Sequence, residues 1–386
     1  MAEYYLPQRV RVSAPAKVLL FGEHAVVYGC PSVAVAERVE ELEAAVEFLF
    51  DGIDDHTGGA GHATALQRRF KFSALRKVVS DITSDNDFLP GPSAAILERI
   101  DDLIRDEPPA NARALRPAIF LCCALLHSSP LMTGQIGGLR MHSSAEQFPI
   151  GAGLGSSAAF SVALAGALER FRVQPTSPRD AEATVEIVNR FAFASETILH
   201  GSPSGVDNTV SAFGGALLFR KLPTPSYSRI ACDLTAFRFL IVNTRVPRST
   251  KELVAGVRVR YDANPTEIQA HFNAIEAIVT NFTELSSRGE LSEAALGSQI
   301  VQNHTILNQL GVGHARIEDV VQICASRGLS TKLTGAGGGG CTVSLVPNSL
   351  AESDLDAVVK ELKDQGFETF TSAVGGAGFT VDSMLS

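Results

Sequence analysis

The chain has 386 residues, enough for two domains at roughly 150 residues each, with 45% hydrophobic and 19% charged residues. That composition is globular and excludes a largely disordered or fibrous chain. Lys and Arg total 33 against 42 Asp and Glu, a net −9 that argues against nucleic acid or an anionic membrane as the main partner while allowing a local basic pocket. The start, MAEYYLPQRV, lacks the charged-then-apolar layout of a secretory leader. Residues 9–20 alternate and then run apolar, which predicts two short strands broken near Pro15. Val33 to Phe50 is strand-rich, and residues 51–64, with Gly58, Gly59 and Gly61, predict a surface loop or insertion. Ala94 to Arg105 predicts a helix and the Pro108-Pro109 tract a loop. Pro117 to Leu126 is a buried segment that periodicity does not assign to helix or strand. The nine apolar residues Ala118 to Leu126 are too few to span a bilayer. The six cysteines (Cys30, Cys122, Cys123, Cys232, Cys324, Cys341) contain no CxxC pair, the usage of a reducing compartment with no zinc site implied. The expectation is a soluble, cytoplasmic protein.

The middle of the chain is punctuated by bunched glycines. Gly151-Ala-Gly-Leu-Gly155 leads into an Ala-rich helix, Ser156 to Phe171. A longer helix follows, with Ser177 as N-cap, Pro178 at its first position and Gly201 as its stop. Gly214 to Arg220 predicts a strand and Lys221 to Pro225 a connector, so the division falls at residue 228, giving domains 1–228 and 229–386. Beyond it the order is strand (Phe237 to Asn243), several helices (about 250–327), strand (Ser330 to Thr334), glycine loop, strand (Cys341 to Val346), helix (Ala351 to Asp364) and strand (Phe367 to Ala373). This β-α-β-β-α-β order is the split βαβ, or ferredoxin-like, arrangement of an α+β domain.

Several residue types in these places suggest chemistry. A glycine loop opening a helix points backbone N–H groups at one spot, and the helix N-terminus adds about half a positive charge, which suits phosphate. Ser156 and Ser157 lie in that first turn, where a hydroxyl bonds phosphate or ligates Mg²⁺; a tight strand-to-helix turn with serine caps has the same appearance. Gly335-Ala-Gly-Gly-Gly-Gly340 formally satisfies GxGxxG. A strand follows it rather than a helix, so the dinucleotide reading is rejected, and close ligand approach or a plain glycine hairpin remain. Asp207, in Pro203-Ser-Gly-Val-Asp-Asn208, is by itself a turn former. Glu196 lies near the C-terminal end of the preceding helix, where the dipole disfavours a carboxylate and a cation such as Mg²⁺ would compensate it. Lys17 enters an apolar strand, a costly place unless it snorkels, sits at an edge or is paired. Paired with Asp207 it forms a dyad that lowers the pKa of a substrate hydroxyl, and His24 then faces the same pocket, although a lone histidine is more often structural.

Three motifs occur in order: Pro15-Ala-Lys-Val-Leu-Leu-Phe-Gly-Glu-His24, Pro149-Ile-Gly-Ala-Gly-Leu-Gly-Ser-Ser157, and Lys332-Leu-Thr-Gly-Ala-Gly-Gly-Gly-Gly-Cys341. Together they resemble the GHMP kinase superfamily (galacto-, homoserine, mevalonate and phosphomevalonate kinases). Gly22-Glu-His-Ala-Val-Val-Tyr-Gly29, His200-Gly-Ser-Pro-Ser-Gly-Val-Asp-Asn208, Val246-Pro-Arg-Ser-Thr-Lys251 and Gly311-Val-Gly-His314 resemble its mevalonate kinase family. The resemblance covers about residues 10–50 and 145–375. It implies an α+β, two-domain GHMP kinase fold, with an N-terminal ribosomal-protein-S5-domain-2-like domain and a C-terminal ferredoxin-like domain. It further implies ATP-dependent phosphorylation of the C5 hydroxyl of mevalonate. In the implied roles, Gly151, Ala152, Gly153, Leu154, Gly155, Ser156, Ser157 and Lys17 bind ATP, Ser157 and Glu196 ligate Mg²⁺, and Asp207 and Lys17 are catalytic. Glu23, His24, Arg248, Thr250, Gly335, Ala336 and Gly337 lie at the substrate. Inhibition by prenyl diphosphates and a homodimer are implied by the same resemblance. Another kinase of the superfamily would share the loops but not the Gly22–Gly29 stretch, and a ligand sensor on this fold would be expected to have lost Lys17, Glu196 or Asp207.

Overall fold

The computed structural model describes residues 9–49, 65–82, 88–89, 91–129, 132, 137–144, 154–172, 178–201 and 203–385. The expected loop at 51–64 lies outside them. In chain order the first part is β1 (Arg9–Phe21), a 3-10 turn (Ala25–Tyr28), β2 (Ser32–Leu49), β3 (Ala65–Lys71), α1 (Phe72–Val78), α2 (Ala94–Leu103), α3 (Pro109–Leu126), β4 (Gly138–Ser144), α4 (Ser156–Arg172), α5 (Pro178–His200), α6 (Val206–Phe213), β5 (Ala216–Arg220) and β6 (Ser226–Ile230). The second is β7 (Arg238–Asn243), α7 (Thr250–Ala263), α8 (Pro265–Arg288), α9 (Glu293–Gln309), α10 (Ala315–Ala325), β8 (Ser330–Leu333), β9 (Cys341–Val346), α11 (Glu352–Asp364), β10 (Glu368–Val374) and β11 (Thr380–Leu385).

The described strands join one sheet whose main path is β11-β1-β2-β10-β7-β9-β8, with β4, β3, β5 and β6 attached through β2. In the second part, β7, β8, β9 and β10 lie in the spatial order fourth-first-third-second, the ferredoxin-like arrangement. The period-2 alternation of a strand sends successive side chains to opposite faces. In β7, Phe239 and Ile241 accordingly pack with Ile278, Phe282 and Ile300 of α8 and α9. Leu240 and Val242 pack on the other face with Val320 of α10 and Val358 of α11. In the first part, β1 contributes Val10 and Val12 to a core filled by Phe120 and Leu121 of α3 and by Val162, Leu164 and Leu168 of α4.

Three local expectations change, and one left open is resolved. The break at Pro15 is a register shift between Ala14 and Ala16 within a single 13-residue strand. A proline has no N–H for the ladder, and a bulge absorbs the loss without ending the strand. The Pro108-Pro109 tract is not all loop, because Pro109 is the first residue of α3, where its missing N–H costs nothing. The 117–126 segment is helix. The loop around Asp207 is the opening turn of a short helix, entered through Gly205 at φ 82°. Residue 228 lies inside β6, paired Leu218↔Ser228 with β5, and β11 returns from the second part to pair with β1. We therefore propose that the division falls in the connector 231–237, with β11 belonging to the first part.

Candidate active site

Lys17 stands on β1 with its side chain nearly buried, and its ammonium lies 3.2 Å from Oδ1 of Asp207 in the first turn of α6. The helix start favours the Asp207 carboxylate through the aligned peptide dipoles. Two contacts hold these elements together: the Ser211 hydroxyl of α6 donates to the Pro15 carbonyl at 2.8 Å, and the Lys17 N–H donates to the Leu154 carbonyl at 2.9 Å. Gly155 follows Leu154 at φ 77°, and a Cβ there would lie 3.2 Å from Lys17 Cγ and 3.5 Å from Asp207 Cβ. Only glycine permits both that backbone conformation and that approach. The end of the glycine loop is thus seated directly against the Lys17–Asp207 pair. Gly151, Ala152 and Gly153 lie outside the described residues.

Two residues on, Ser157 donates to Glu196 Oε2 at 2.9 Å. Ser161 donates to Glu196 Oε1 at 3.3 Å and shares a 3.1 Å hydrogen bond with Ser195. His200 Nε2 lies 3.3 Å from Ser157 Oγ and 3.5 Å from Glu196 Oε2. Burial pushes the Glu196 carboxyl up to about 7, the Asp207 charge adds to the rise, and the serine hydrogen bonds oppose it. A buried carboxylate at the disfavoured end of its helix, beside a hydroxyl, is a hard-oxygen pair whose charge a Mg²⁺ would compensate. Ser157 and Glu196 therefore fit the expected metal, with phosphate oxygens and water as its remaining ligands. Among the described residues no group of three or more His, Cys, Asp or Glu forms a metal site.

A second set gathers at the β8–β9 hairpin. His24 has φ 58°, and its Nε2 lies 2.9 Å from the Ala336 carbonyl. The carbonyl only accepts, so the ring proton sits on Nε2. Burial holds His24 below its ordinary range, the hydrogen bond to Ala336 resists, and the Arg248 charge pushes the same way as burial. Arg248 donates to the Thr334 carbonyl at 3.4 Å and lies alongside Gly335. Thr250 begins α7 and is exposed. Gly337, at φ 75°, passes so close to the Val312 carbonyl that a Cβ would come within 2.1 Å. His24, Arg248, Gly335, Ala336 and Gly337 are thus brought together.

Glu23, expected at the substrate, has protein partners of its own. It is fully buried, its Oε1 pairs with the equally buried Lys332, and its Oε2 accepts from Asn303 at 3.0 Å. Both of its carboxylate oxygens are thus engaged by protein groups. Four further residues join the two sets: Ser161, His200, Lys332 and Asn303. Ser161 is four residues after Ser157, and His200 four after Glu196, a helical spacing that places each on its partner's face. Lys332 and Asn303 carry no comparable signal, because each meets Glu23 from about 300 residues away.

Comparison with known proteins bears on this geometry. Residues 119–215 match the model of the GHMP kinases N terminal domain, and residues 275–365 that of the GHMP kinases C terminal domain. The chain is 32% identical to the mevalonate kinase of Homo sapiens over 400 residues, covering 99% of this chain and 97% of that protein. It is 33% identical to the mevalonate kinase of Arabidopsis thaliana over 390 residues, covering 96% and 98%. Among solved structures, that of L. major mevalonate kinase in complex with R-mevalonate superposes with a TM-score of 0.64 at 24% identity, covering 95% of this chain and 96% of that chain. The Methanococcus jannaschii mevalonate kinase gives 0.66 at 20% identity, covering 97% and 100%.

Proposed function

Because the chain belongs to the GHMP kinase family and, within it, to the mevalonate kinases, we propose that it transfers the γ-phosphoryl group of ATP to the C5 hydroxyl of mevalonate, giving 5-phosphomevalonate and ADP. The observation that carries the site assignment is the 3.2 Å approach of Lys17 to Asp207 against the closing glycine of a loop at a helix N-terminus. Asp207 accepts the hydroxyl proton, the oxygen attacks the γ-phosphorus, and the bond to the β–γ bridging oxygen breaks. Lys17 stabilises the alkoxide character of the attacking oxygen and the charge on the moving group. The amides of residues 151–157, at the start of α4, bind the ATP phosphates. Ser157 and Glu196 hold Mg²⁺, which when bound neutralises phosphate charge. Such transfers require little covalent chemistry from a protein beyond positioning and charge, and these residues supply both.

His24, Arg248, Thr250 and the Gly335–Gly337 turn are the substrate side of this reading. Prenyl diphosphates, whose two phosphates present the same charge as the ATP β- and γ-phosphates, compete with ATP at the same amides. The chain works in the cytoplasm, in isoprenoid and sterol precursor synthesis, as a homodimer. Among the described residues no helix is long and apolar enough to cross a membrane, and all six cysteines are free. The deciding experiment is a coupled assay of ADP release with mevalonate, phosphomevalonate, galactose and homoserine. A rate with mevalonate at least tenfold above the others is expected, and a preference for any other acceptor refutes the assignment. Adding farnesyl diphosphate while ATP is varied should raise KM for ATP at constant kcat; an unaltered KM removes the inhibitor from the phosphate loop.

A further inference from the structure

We propose that Lys332 is a positioning residue for phosphoryl transfer, acting through Glu23 to clasp the turn after β1 onto the β8–β9 hairpin and so set the hairpin's register against the strand that carries Lys17. The turn begins at Gly22, φ 99°, where a Cβ would meet Ser32 within 2.4 Å, and continues through His24 at φ 58°. A non-glycine residue at positive φ is held there only when its surroundings over-determine it. Besides Ser32 of β2 and Arg248, the groups that hold this turn come from the hairpin and from α9. Lys332 pairs with Glu23 and donates to the Leu19 carbonyl at 3.4 Å. Thr334 donates to the same carbonyl at 2.9 Å. Asn303 of α9 holds the second Glu23 oxygen, and His24 itself holds the Ala336 carbonyl.

The choice of a charged pair at this spot is informative. Both side chains are fully buried, and a buried ion pair contributes little net stability compared with apolar residues of the same volume. What it does supply is a single permitted alignment, since any slip between hairpin and turn separates two buried charges. Fixing register is the best-attested use of such a pair. Four residues separate the Lys17 strand position from the end of β1 at Phe21, so a shift at Glu23 is transmitted along a paired strand to the dyad. A misplacement of about 1 Å at reacting atoms can cost on the order of 100-fold in rate.

This inference rests on the kinase reading above, and its test separates the two. The wild type, Lys332→Met, Glu23→Gln and the double variant are compared for kcat and KM with mevalonate and for thermal midpoint. The single variants leave one partner unpaired and lower the midpoint; the double variant removes both charges and regains most of it. For kcat, the expected loss is tenfold or more in each single variant and remains within about twofold of the worse single in the double. Recovery of kcat together with the midpoint would show a merely structural pair and overturn the proposal. Multiplying losses would show that Glu23 reaches the substrate by itself, which also overturns it. Should Lys332→Met not fold alone, the double variant decides: a normal kcat refutes the clasp and a depressed one supports it. A wild type inactive on mevalonate faults the kinase reading alone, because the recovery of the midpoint in the double variant still reports the pairing.

Discussion

Asp207 and Glu196 are two carboxylates on neighbouring helices in opposite settings. Asp207 is half-exposed, sits at a helix start and has a lysine at 3.2 Å, so it is available as a proton acceptor. Asp207→Asn keeps the shape and removes the acceptor; kcat is expected to fall on the order of 100-fold or more while ATP affinity, measured by fluorescent-nucleotide titration, stays within a few-fold. A near-normal kcat would reduce Asp207 to a turn residue. Glu196 is buried, and burial raises its carboxyl from 4.5 to about 7. The native state therefore binds this proton more tightly than the unfolded chain, so stability from this group is lost as pH rises from about 4.5 to about 7 and is constant above that. Glu196→Gln lacks the titration. In metal-free buffer the variant's stability advantage over the wild type should grow by about 3 kcal/mol between pH 4.5 and pH 7.5, read from urea melts. A pH-independent difference would mean that Glu196 is already ionised at pH 5. On the proposed metal site, the same variant should need more Mg²⁺ for half-maximal rate, because one of the two proposed ligands has lost its charge.

At the scale of elements, the site depends on glycines that let two backbones touch. The β8–β9 turn passes the Val312 carbonyl, and the Gly338 N–H donates to that carbonyl at 2.8 Å. Gly337→Ala puts a methyl group within 2.1 Å of the same oxygen at φ 75°. The expected cost is about 2 kcal/mol or more, from left-handed strain together with a backbone clash. A thermal midpoint equal to the wild type would show that the turn yields freely. The loop before α4 behaves differently. Gly155→Ala crowds the flexible Lys17 side chain and carries the φ penalty, so a modest loss of stability with a larger loss of kcat is expected. Equal proportional effects on folding and rate would detach Gly155 from the dyad. Each change separates a glycine needed for the fold from one needed for the pair.

At the scale of the whole molecule, β11 crosses back to cover the edge of β1, and Phe379 just before it lies 3.1 Å from the position a Cβ would take on Gly166 of α4. Deleting residues 379–386 uncovers β1 along Arg9–Ser13 and leaves a gap against α4. An unpaired edge strand is a template for association between chains. The truncated chain should melt earlier and show concentration-dependent aggregation by light scattering; a monodisperse chain of unchanged midpoint would make β11 dispensable. The 18-residue β2 is the spine of this arrangement, pairing with β1, β4, β5 and β10 along its length. Through the β2–β10 pairing the two parts share one sheet.

The amino-acid sequence by itself determined the helical run after the first glycine loop, the split βαβ order of the second part and the residue types gathered at the candidate site. Those are local properties: periodicity, glycine freedom, helix-end charge and motif spacing act within about twenty residues. That Ser157 and Glu196 belong together was legible because each sits at a helix end. Tertiary structure alone decided that Pro15 bulges within a strand instead of breaking it, since partners on both sides supply the ladder bonds that the strand lacks by itself. It alone decided that Glu23 meets Lys332 and Asn303. A carboxylate's partner is set by which distant segments the core brings beside it, and a contact made across some 300 residues leaves no periodic or compositional trace in the chain.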